Sequence, residues 1–395
     1  MVIDWKPRAQ ALADQLATAG HLRTSDWQKV FATVPRHEFV PSFYEHTSPG
    51  QWQRIEGTDA TQRDRWLSAV YSNTTLVTAV EDVTLPRAPG QRSFAVAVSS
   101  STEPGLMAQM LEDLDVHTGH TVLEIGTGTG YNAALLCERL GDTQVHSVDL
   151  RADHVDAAAL RLAQAGHHPT LAAADGADGL PNHGCYDRII ATCSVQYIPP
   201  AWIDQLHPGG MLLADLEGTI YAGNLAALSR QNNSTLQGRF CAQYGSFMPM
   251  QHQLGIHPGR SHRTNPDPGT ERTTTLPPDV VHQRQRPFAF YAQLHLPHST
   301  QLQPAAAGTR TRLVAPDGSW CEVTDRSDTS GHHHVIEGGP QRLWQLIEQA
   351  HERYIALGYP GWECFGITAT PSEQRIWLDT PGNVANWPIP MTGAP

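Results

Sequence analysis

Lysine is almost missing from this chain of 395 residues: Lys6 and Lys29 are the only two, and every other basic side chain except histidine is arginine. That skew reads as the composition of a GC-rich genome and carries little functional meaning. Net positive charge is also lacking. Twenty-seven Lys and Arg face 39 Asp and Glu, for a formal net charge of -12. Such a surface argues against sequence-blind binding to phosphates, so no nucleic-acid partner is expected. No apolar run reaches the roughly 18 residues that a membrane span needs, so no membrane partner is expected either. The opening MVIDWKPRAQ ALADQLATAG lacks the apolar core of a secretory signal. Six cysteines (Cys137, Cys185, Cys193, Cys241, Cys321, Cys364) form no CxxC pair. Several lie in apolar runs, as reduced, buried thiols do, and a cytoplasmic, reducing location is expected.

What is present is ample apolar material, 40% of the residues against 17% charged. At this length two domains and a short leader are the natural expectation. Residues 1–95 open with an amphipathic helix around Ala11–Ala19. A second helix runs from Asp26 with Ser25 as its N-cap, stopping in VPRHEFVP between Pro35 and Pro41. From Gln51 to Arg92 the pattern suggests only short strands and loops. Residues 96–255 alternate strand and helix signals. Strands are read at Thr121–Gly126, Gln144–Leu150, Thr170–Ala174, Asp187–Thr192 and Gly210–Leu216. Helices are read through AALLCERL, at His154–Gln164 and at Ala201–Leu206. The fold class expected is therefore α/β, with a doubly wound, Rossmann-like parallel sheet.

Residues 256–279 read as a linker, since SHRTNPDPGTERTTTLPPD has no apolar period. Residues 280–395 read as a small α+β domain with β-like runs at PFAFYAQLHL, TRLVAP, GSWCEVT, FGITAT and RIWLDT. One helix is read between Pro340 and Gly358. The tryptophans there (Trp320, Trp344, Trp362, Trp377, Trp387) are expected in the core. His332, His333 and His334 suggest a solvated turn rather than a metal centre, because adjacent histidines point apart. No metal site is expected, and no internal repeat is evident.

The sharpest signal is Glu124-Ile-Gly126-Thr127-Gly128-Thr-Gly130-Tyr131, placed after a strand and before a helix. Glycines there let the backbone turn tightly and approach a ligand, while the helix start offers unbonded N–H groups. The spacing is GxGxG, not the GxGxxG of dinucleotide binders, so a nucleoside without pyrophosphate fits better than NAD. Asp149, at the tip of the next strand, suits ribose hydroxyls, and Leu150 beside it suits an adenine face. Asp175 and Gly176 follow the third strand, where a carboxylate can accept from an adenine amino group. Ligands of such sheets bind outside the carboxyl ends of the strands.

VLEIGTGTGYNAALL resembles the first motif of class I methyltransferases, and in particular of protein-L-isoaspartate O-methyltransferases. VPRHEFVP, the stretch AVSSSTEPGLMAQMLEDLDVHTGHTVLEIGTGTGY, and YDRIIAT followed by IPPAWIDQLHPGGMLL resemble further segments of that family, in order, across residues 1–255. The resemblance implies S-adenosylmethionine as cofactor, held by Glu124, Gly126, Thr127, Gly128, Gly130, Tyr131, Asp149, Leu150, Asp175, Gly176 and Thr192. It implies a peptide substrate and a hydroxyl beside the transferred methyl group. The position matching the family's serine is Thr102, preceded by Ser101; the extra methyl departs from the pattern, and capping of the next helix is its rival role. A carboxylate is already ionised at neutral pH, so such a reaction rests on positioning rather than on a general base. The methyl ester would then collapse to a succinimide by attack of the next backbone nitrogen.

The C-terminal segments RTTTLPPDV, APDGSW, GGPQRLWQLIE and IWLDTPG resemble methyltransferases encoded beside the ATP-grasp ligases of crosslinked ribosomal peptides (graspetides). That resemblance implies a macrocyclised precursor peptide as substrate, with an aspartate esterified and converted to aspartimide or isoaspartate. General repair of isoaspartyl damage and a non-catalytic peptide-binding module are the alternatives. An amino-methyltransferase fits less well, because Ala191-Thr192-Cys193-Ser194 stands where an Asn/Asp-Pro-Pro-aromatic segment would be.

Overall fold

A computed structural model describes residues 4–48, 51–84, 93–231, 233–251, 268–303 and 310–391. The chain divides into two compact units, Met1–Cys193 with Asp204–Leu213, and Ser194–Ile203 with Ala214–Pro395.

The first unit opens with α1 (Lys6–Thr18), which buries Ala9, Leu12, Ala13 and Leu16 on one stripe. In α2 (Ser25–Thr33) the cap is Thr24, whose side chain accepts from the Trp27 amide; Ser25, the expected cap, is already helical. The helix ends at Val34 as the prolines require, but a further turn, α3 (Arg36–Phe39), fits between Pro35 and Pro41. The stretch from Gln51, where short strands and loops are expected, does form strands, joined by one unexpected strand before it and a helix: β1 (Ser42–Ser48), β2 (Gln51–Glu56), α4 (Arg63–Val70), β3 (Leu76–Thr84) and β4 (Ser93–Ser101). The four strands pair antiparallel in the order β2-β1-β3-β4. Its first two strands bury only Phe43 and Ile55 among their residues, so little period-2 alternation was there to be read.

After α5 (Pro104–Asp113) comes the doubly wound core: β5 (Val122–Ile125), α6 (Tyr131–Leu140), β6 (Val145–Asp149), α7 (Ala152–Gln164), β7 (Thr170–Ala173) and β8 (Tyr186–Val195). The strands lie in the order β8-β5-β6-β7, and every pairing in this set is parallel. All four residues of β5 are buried, as in a strand covered on both faces. Crossover helices on such a sheet leave the strand tips free, which is where Gly126, Asp149 and Asp175 stand. The next elements are α8 (Pro200–Asp204) and β9 (Leu206–Glu217), the latter in the first unit up to Leu213.

The second unit holds an antiparallel run of β10 (Gly223–Arg230), β11 (Leu236–Phe240), β17 (Phe365–Ala369), β18 (Gln374–Leu378) and β19 (Asn386–Ile389). Its other sheet orders β12 (Thr270–Thr274), β16 (His333–Gly338), β15 (Trp320–Thr324), β14 (Arg310–Val314) and β13 (Gln301–Gln303) side by side. Helices α9 (Pro287–Gln293) and α10 (Leu343–Ala356) complete it. Three expectations are corrected here. PFAFYAQLHL is helical over Pro287–Gln293, not a strand; Phe288 through Ala292 are all buried, so the run shows no period, and Pro287 sits in the first turn where it suits a helix. Part of the expected linker is strand β12, while residues 256–267 lie outside the described residues. The three histidines do not form a solvated turn: His333 is buried in β16 with its Nδ1 2.8 Å from the Thr324 carbonyl, and His332 and His334 are half-buried.

The helix between Pro340 and Gly358 is α10, with Leu343, Trp344, Ile347, Ala350 and Tyr354 buried. Trp320, Trp344, Trp362 and Trp377 are core residues as expected, and Trp387 is half-buried. Arg272 on β12 reaches Glu337 at 2.7 Å and Glu348 at 2.8 Å, joining the sheet to α10. Among the described residues, no helix is long and apolar enough to cross a membrane. Truncating the fully buried Trp344 to alanine should cost about 3–5 kcal/mol through cavity formation, read as a lowered urea midpoint; a change under about 1 kcal/mol would mean that this core is not packed as described.

Candidate active site

Strand β5 ends in a loop whose three glycines all have left-handed φ: Gly126 at 98°, Gly128 at 51° and Gly130 at 87°. The Gly126 amide bonds the Val148 carbonyl at 2.8 Å, which fastens the loop to β6. The Thr192 hydroxyl on β8 donates to the Gly126 carbonyl at 2.8 Å and the Ile125 carbonyl at 3.1 Å. A Cβ on Gly126 would stand 2.5 Å from Thr192 Oγ1, and one on Gly130 3.1 Å from Ala158. A Cβ on Gly128 would meet nothing within 4 Å. The outer two glycines are thus packed against protein, and the middle one faces open space.

Asp149, at the tip of β6, defines that open side. Its Oδ2 accepts from the Gly128 amide at 2.9 Å and its Oδ1 from the Arg151 amide at 3.1 Å. Each carboxylate oxygen keeps a second lone pair, so the group can hold the loop and still receive two ribose hydroxyls. Leu150 follows, half-buried. The Ala174 amide bonds the Asp149 carbonyl at 3.0 Å, bringing the end of β7 alongside. There Asp175 caps the turn Gly176–Asp178 by accepting from the Ala177 amide at 2.9 Å, and Gly176 is buried. The loop, Asp149, Asp175 and Thr192 thus lie at the same edge of the sheet.

Two of the residues expected to line this site do something else. Glu124 has no exposed surface: its carboxylate accepts from Asn132 Nδ2 at 2.8 Å and from the Ser147 hydroxyl, which in turn meets the Thr127 hydroxyl at 2.6 Å. Burial pushes its pKa up to about 7, against the pull of those two donors. It braces the loop from behind. The Tyr131 ring points into the leader, edge-on to Phe31 and tilted on Phe39, under the Arg36 guanidinium at 5.7 Å.

Ser101 ends β4 and Thr102 follows it. Both are fixed by a residue the sequence reading did not single out. Arg36, fully buried, donates to the carbonyls of Val70 at 2.8 Å, Ser72 and Thr74 at 3.2 Å and Thr102 at 3.1 Å, and to the Ser101 hydroxyl at 3.2 Å. Burial lowers its pKa to about 10, which leaves it charged at neutral pH. The rival role for Thr102 is filled elsewhere: Asn73 Oδ1 accepts from the Gly105 amide at 2.6 Å at the start of α5. Thr102 is partly exposed, and its hydroxyl makes no hydrogen bond among the described residues.

A parallel β8-β5-β6-β7 core with a three-glycine loop at the tip of β5 and acids at the ends of β6 and β7 is the arrangement of the class I S-adenosylmethionine-dependent methyltransferases. The residues fit that nucleoside on their own chemistry, since Asp149 offers acceptors to a diol and Gly128 leaves room beside them. The family model for protein-L-isoaspartate(D-aspartate) O-methyltransferase matches residues 51–254, and the chain belongs to that family of carboxyl methyltransferases. A protein-L-isoaspartate O-methyltransferase of Azorhizobium caulinodans is 41% identical over 139 residues, which are 35% of this chain and 59% of the relative. One from Hyperthermus butylicus is 27% identical over 238 residues, 58% of this chain and 82% of the relative. The chain thus spans well under two thirds of the Azorhizobium protein. A solved protein-L-isoaspartate O-methyltransferase superposes with a TM-score of 0.53 at 20% identity, covering 94% of this chain and all of that one. Its fold accordingly extends into the C-terminal unit, so a long C-terminal region does not by itself set this chain apart.

Two outcomes are expected. Gly126→Ala, with its Cβ forced against Thr192, should weaken S-adenosylhomocysteine binding by more than tenfold in calorimetry at unchanged circular dichroism; wild-type affinity would show that the loop is not the cofactor site. The raised pKa of Glu124 makes the folded state hold a proton that the unfolded state has lost. Its share of stability is present below pH about 4.5 and fades as pH rises through about 7. Glu124→Gln should therefore flatten the decline of stability between pH 5 and 8 relative to wild type; parallel curves in urea titrations would contradict this.

Proposed function

We propose that this protein transfers a methyl group from S-adenosylmethionine to the free α-carboxylate of an isoaspartyl residue in a peptide or protein. The observation that carries the reading is the family match over residues 51–254, which spans the Thr102 hydroxyl and the nucleoside loop together. When bound, S-adenosylmethionine supplies a methyl group on a cationic sulfur, which a carboxylate oxygen takes directly as the bonding pair returns to sulfur, with no proton changing hands. Gly126, Gly128 and Gly130 shape the floor for the nucleoside, Asp149 holds its ribose and Asp175 its base. Thr102 donates its hydroxyl hydrogen to one carboxylate oxygen and so orients the other for in-line attack. Arg36 positions Thr102 through its carbonyl and does not touch the reacting atoms.

Generic isoaspartyl peptides are the favoured substrate. The narrower reading, a macrocyclised graspetide precursor, rests on the C-terminal segments RTTTLPPDV, APDGSW, GGPQRLWQLIE and IWLDTPG. No disulfide joins any two of the six cysteines, which fits the reducing, cytoplasmic location proposed for the protein. Incubation with S-adenosylmethionine and an isoaspartyl peptide should add one methyl by mass spectrometry, with the normal aspartyl isomer unmodified. Modification of a crosslinked peptide only would favour the narrower reading, and modification of neither would leave a binding module. Thr102→Val, which keeps the shape and removes the donor, should lower kcat about 10²-fold with cofactor affinity unchanged; an unchanged kcat would remove Thr102 from the mechanism.

A further inference from the structure

At the end of α6 remote from the glycine loop, about 15 Å along the helix, three side chains of different chemistry converge. Cys137 lies in the last turns of α6, Asp142 just beyond the Gly141 that ends it, and His167 just beyond the Gly166 that follows α7. The Cys137 thiol, an Asp142 carboxylate oxygen and a His167 ring nitrogen all lie within 4.8 Å of one another. We propose that these three residues form a binding site for a divalent cation of the zinc type, with water as the fourth ligand.

Four features support the assignment. His167 Nδ1 and Asp142 Oδ1 are 3.3 Å apart, long for a hydrogen bond but equal to the edge of a tetrahedron with bonds of about 2.0–2.1 Å, the zinc values for nitrogen and oxygen. The other ring nitrogen, Nε2, has Glu138 Oε2 at 3.9 Å, beyond hydrogen-bond reach as it stands, so a small closing of that gap would place a carboxylate behind the ligand nitrogen as in carboxylate–histidine–zinc arrangements. Asp142 is held for the task, because its Oδ2 already accepts from the His168 amide at 2.7 Å. Finally, the C-termini of α6 and α7 both end here, and their dipoles favour a cation.

The donor set selects the metal. Thiolate and imidazole with a single carboxylate suit zinc or cobalt and do not suit magnesium or calcium, which need oxygen shells. Without metal the Cys137 thiol is held protonated by burial and by Asp142. Binding forms the metal–sulfur bond as that proton leaves to solvent, and the charge that Asp142 opposed is then neutralised. A bound ion would tie the end of α6 to the turn between α7 and β7, and this assignment stands whether or not the methyl-transfer reading holds.

The test is cobalt titration of the chelator-treated full-length protein, followed by displacement with zinc. One cobalt per chain with a near-ultraviolet thiolate-to-cobalt band, bleached by zinc, is the expected result. Cys137→Ser should abolish that band. His167→Gln, a change at a partly exposed loop residue that leaves the buried helix intact, should weaken binding at least tenfold, and Glu138→Gln by about 10- to 100-fold. Absence of the thiolate band, its persistence in Cys137→Ser, or an affinity unmoved by His167→Gln would each overturn the site. S-adenosylhomocysteine binding, measured in parallel, reports that each variant is folded.

Discussion

A guanidinium taken wholly out of water constrains the first unit more than any other group. Arg36 carries a fixed plane of N–H donors that cannot give up their charge cheaply, so the chain must bring acceptors to it. The carbonyls of Val70, Ser72, Thr74 and Thr102 answer that demand, and in doing so they define where the strand ending at Ser101 can stop. A lysine in its place would offer a point charge with three donors and could not span these segments. The short turn Arg36–Phe39 presents this side chain and also buries Phe39.

On the cofactor side the same economy of parts holds through Asp149. One carboxylate fixes the Gly128 amide and stands at the open face of the loop. Behind it Glu124, Ser147, Thr127 and Asn132 form a buried polar network. That network costs desolvation, visible in the raised pKa of Glu124, and what it provides is rigidity: a loop of three left-handed glycines has no stiffness of its own.

The glycine loop and the acidic strand tips were legible in the sequence because they are local, each written in fewer than eight consecutive residues. The parallel core was legible because its strands are buried on both faces and flanked by periodic helices. What escaped reading was built from long-range pairing or uniform burial. The four-stranded sheet of the leader leaves most of its described residues half-buried rather than alternating buried and exposed, the helix Pro287–Gln293 buries nearly all of its own, and the strand at His333 follows a turn-like run. Arg36 escaped because nothing adjacent in sequence reveals that its acceptors lie 34 to 66 positions away. Glu124 and Tyr131 belong to the motif expected to hold the nucleoside, yet one braces the loop and the other packs into the leader; a motif names residues without saying which of them face a ligand.

The central claim is that the nucleoside lies across the tips of β5, β6 and β7 with its sulfur directed at Thr102. A crystal structure of the full chain with S-adenosylhomocysteine tests it most directly. The account predicts the ribose hydroxyls on Asp149, the adenine beside Asp175 and the thioether sulfur facing the Thr102 hydroxyl. A nucleoside bound elsewhere, or one in this place with its sulfur turned away from Thr102, would contradict it.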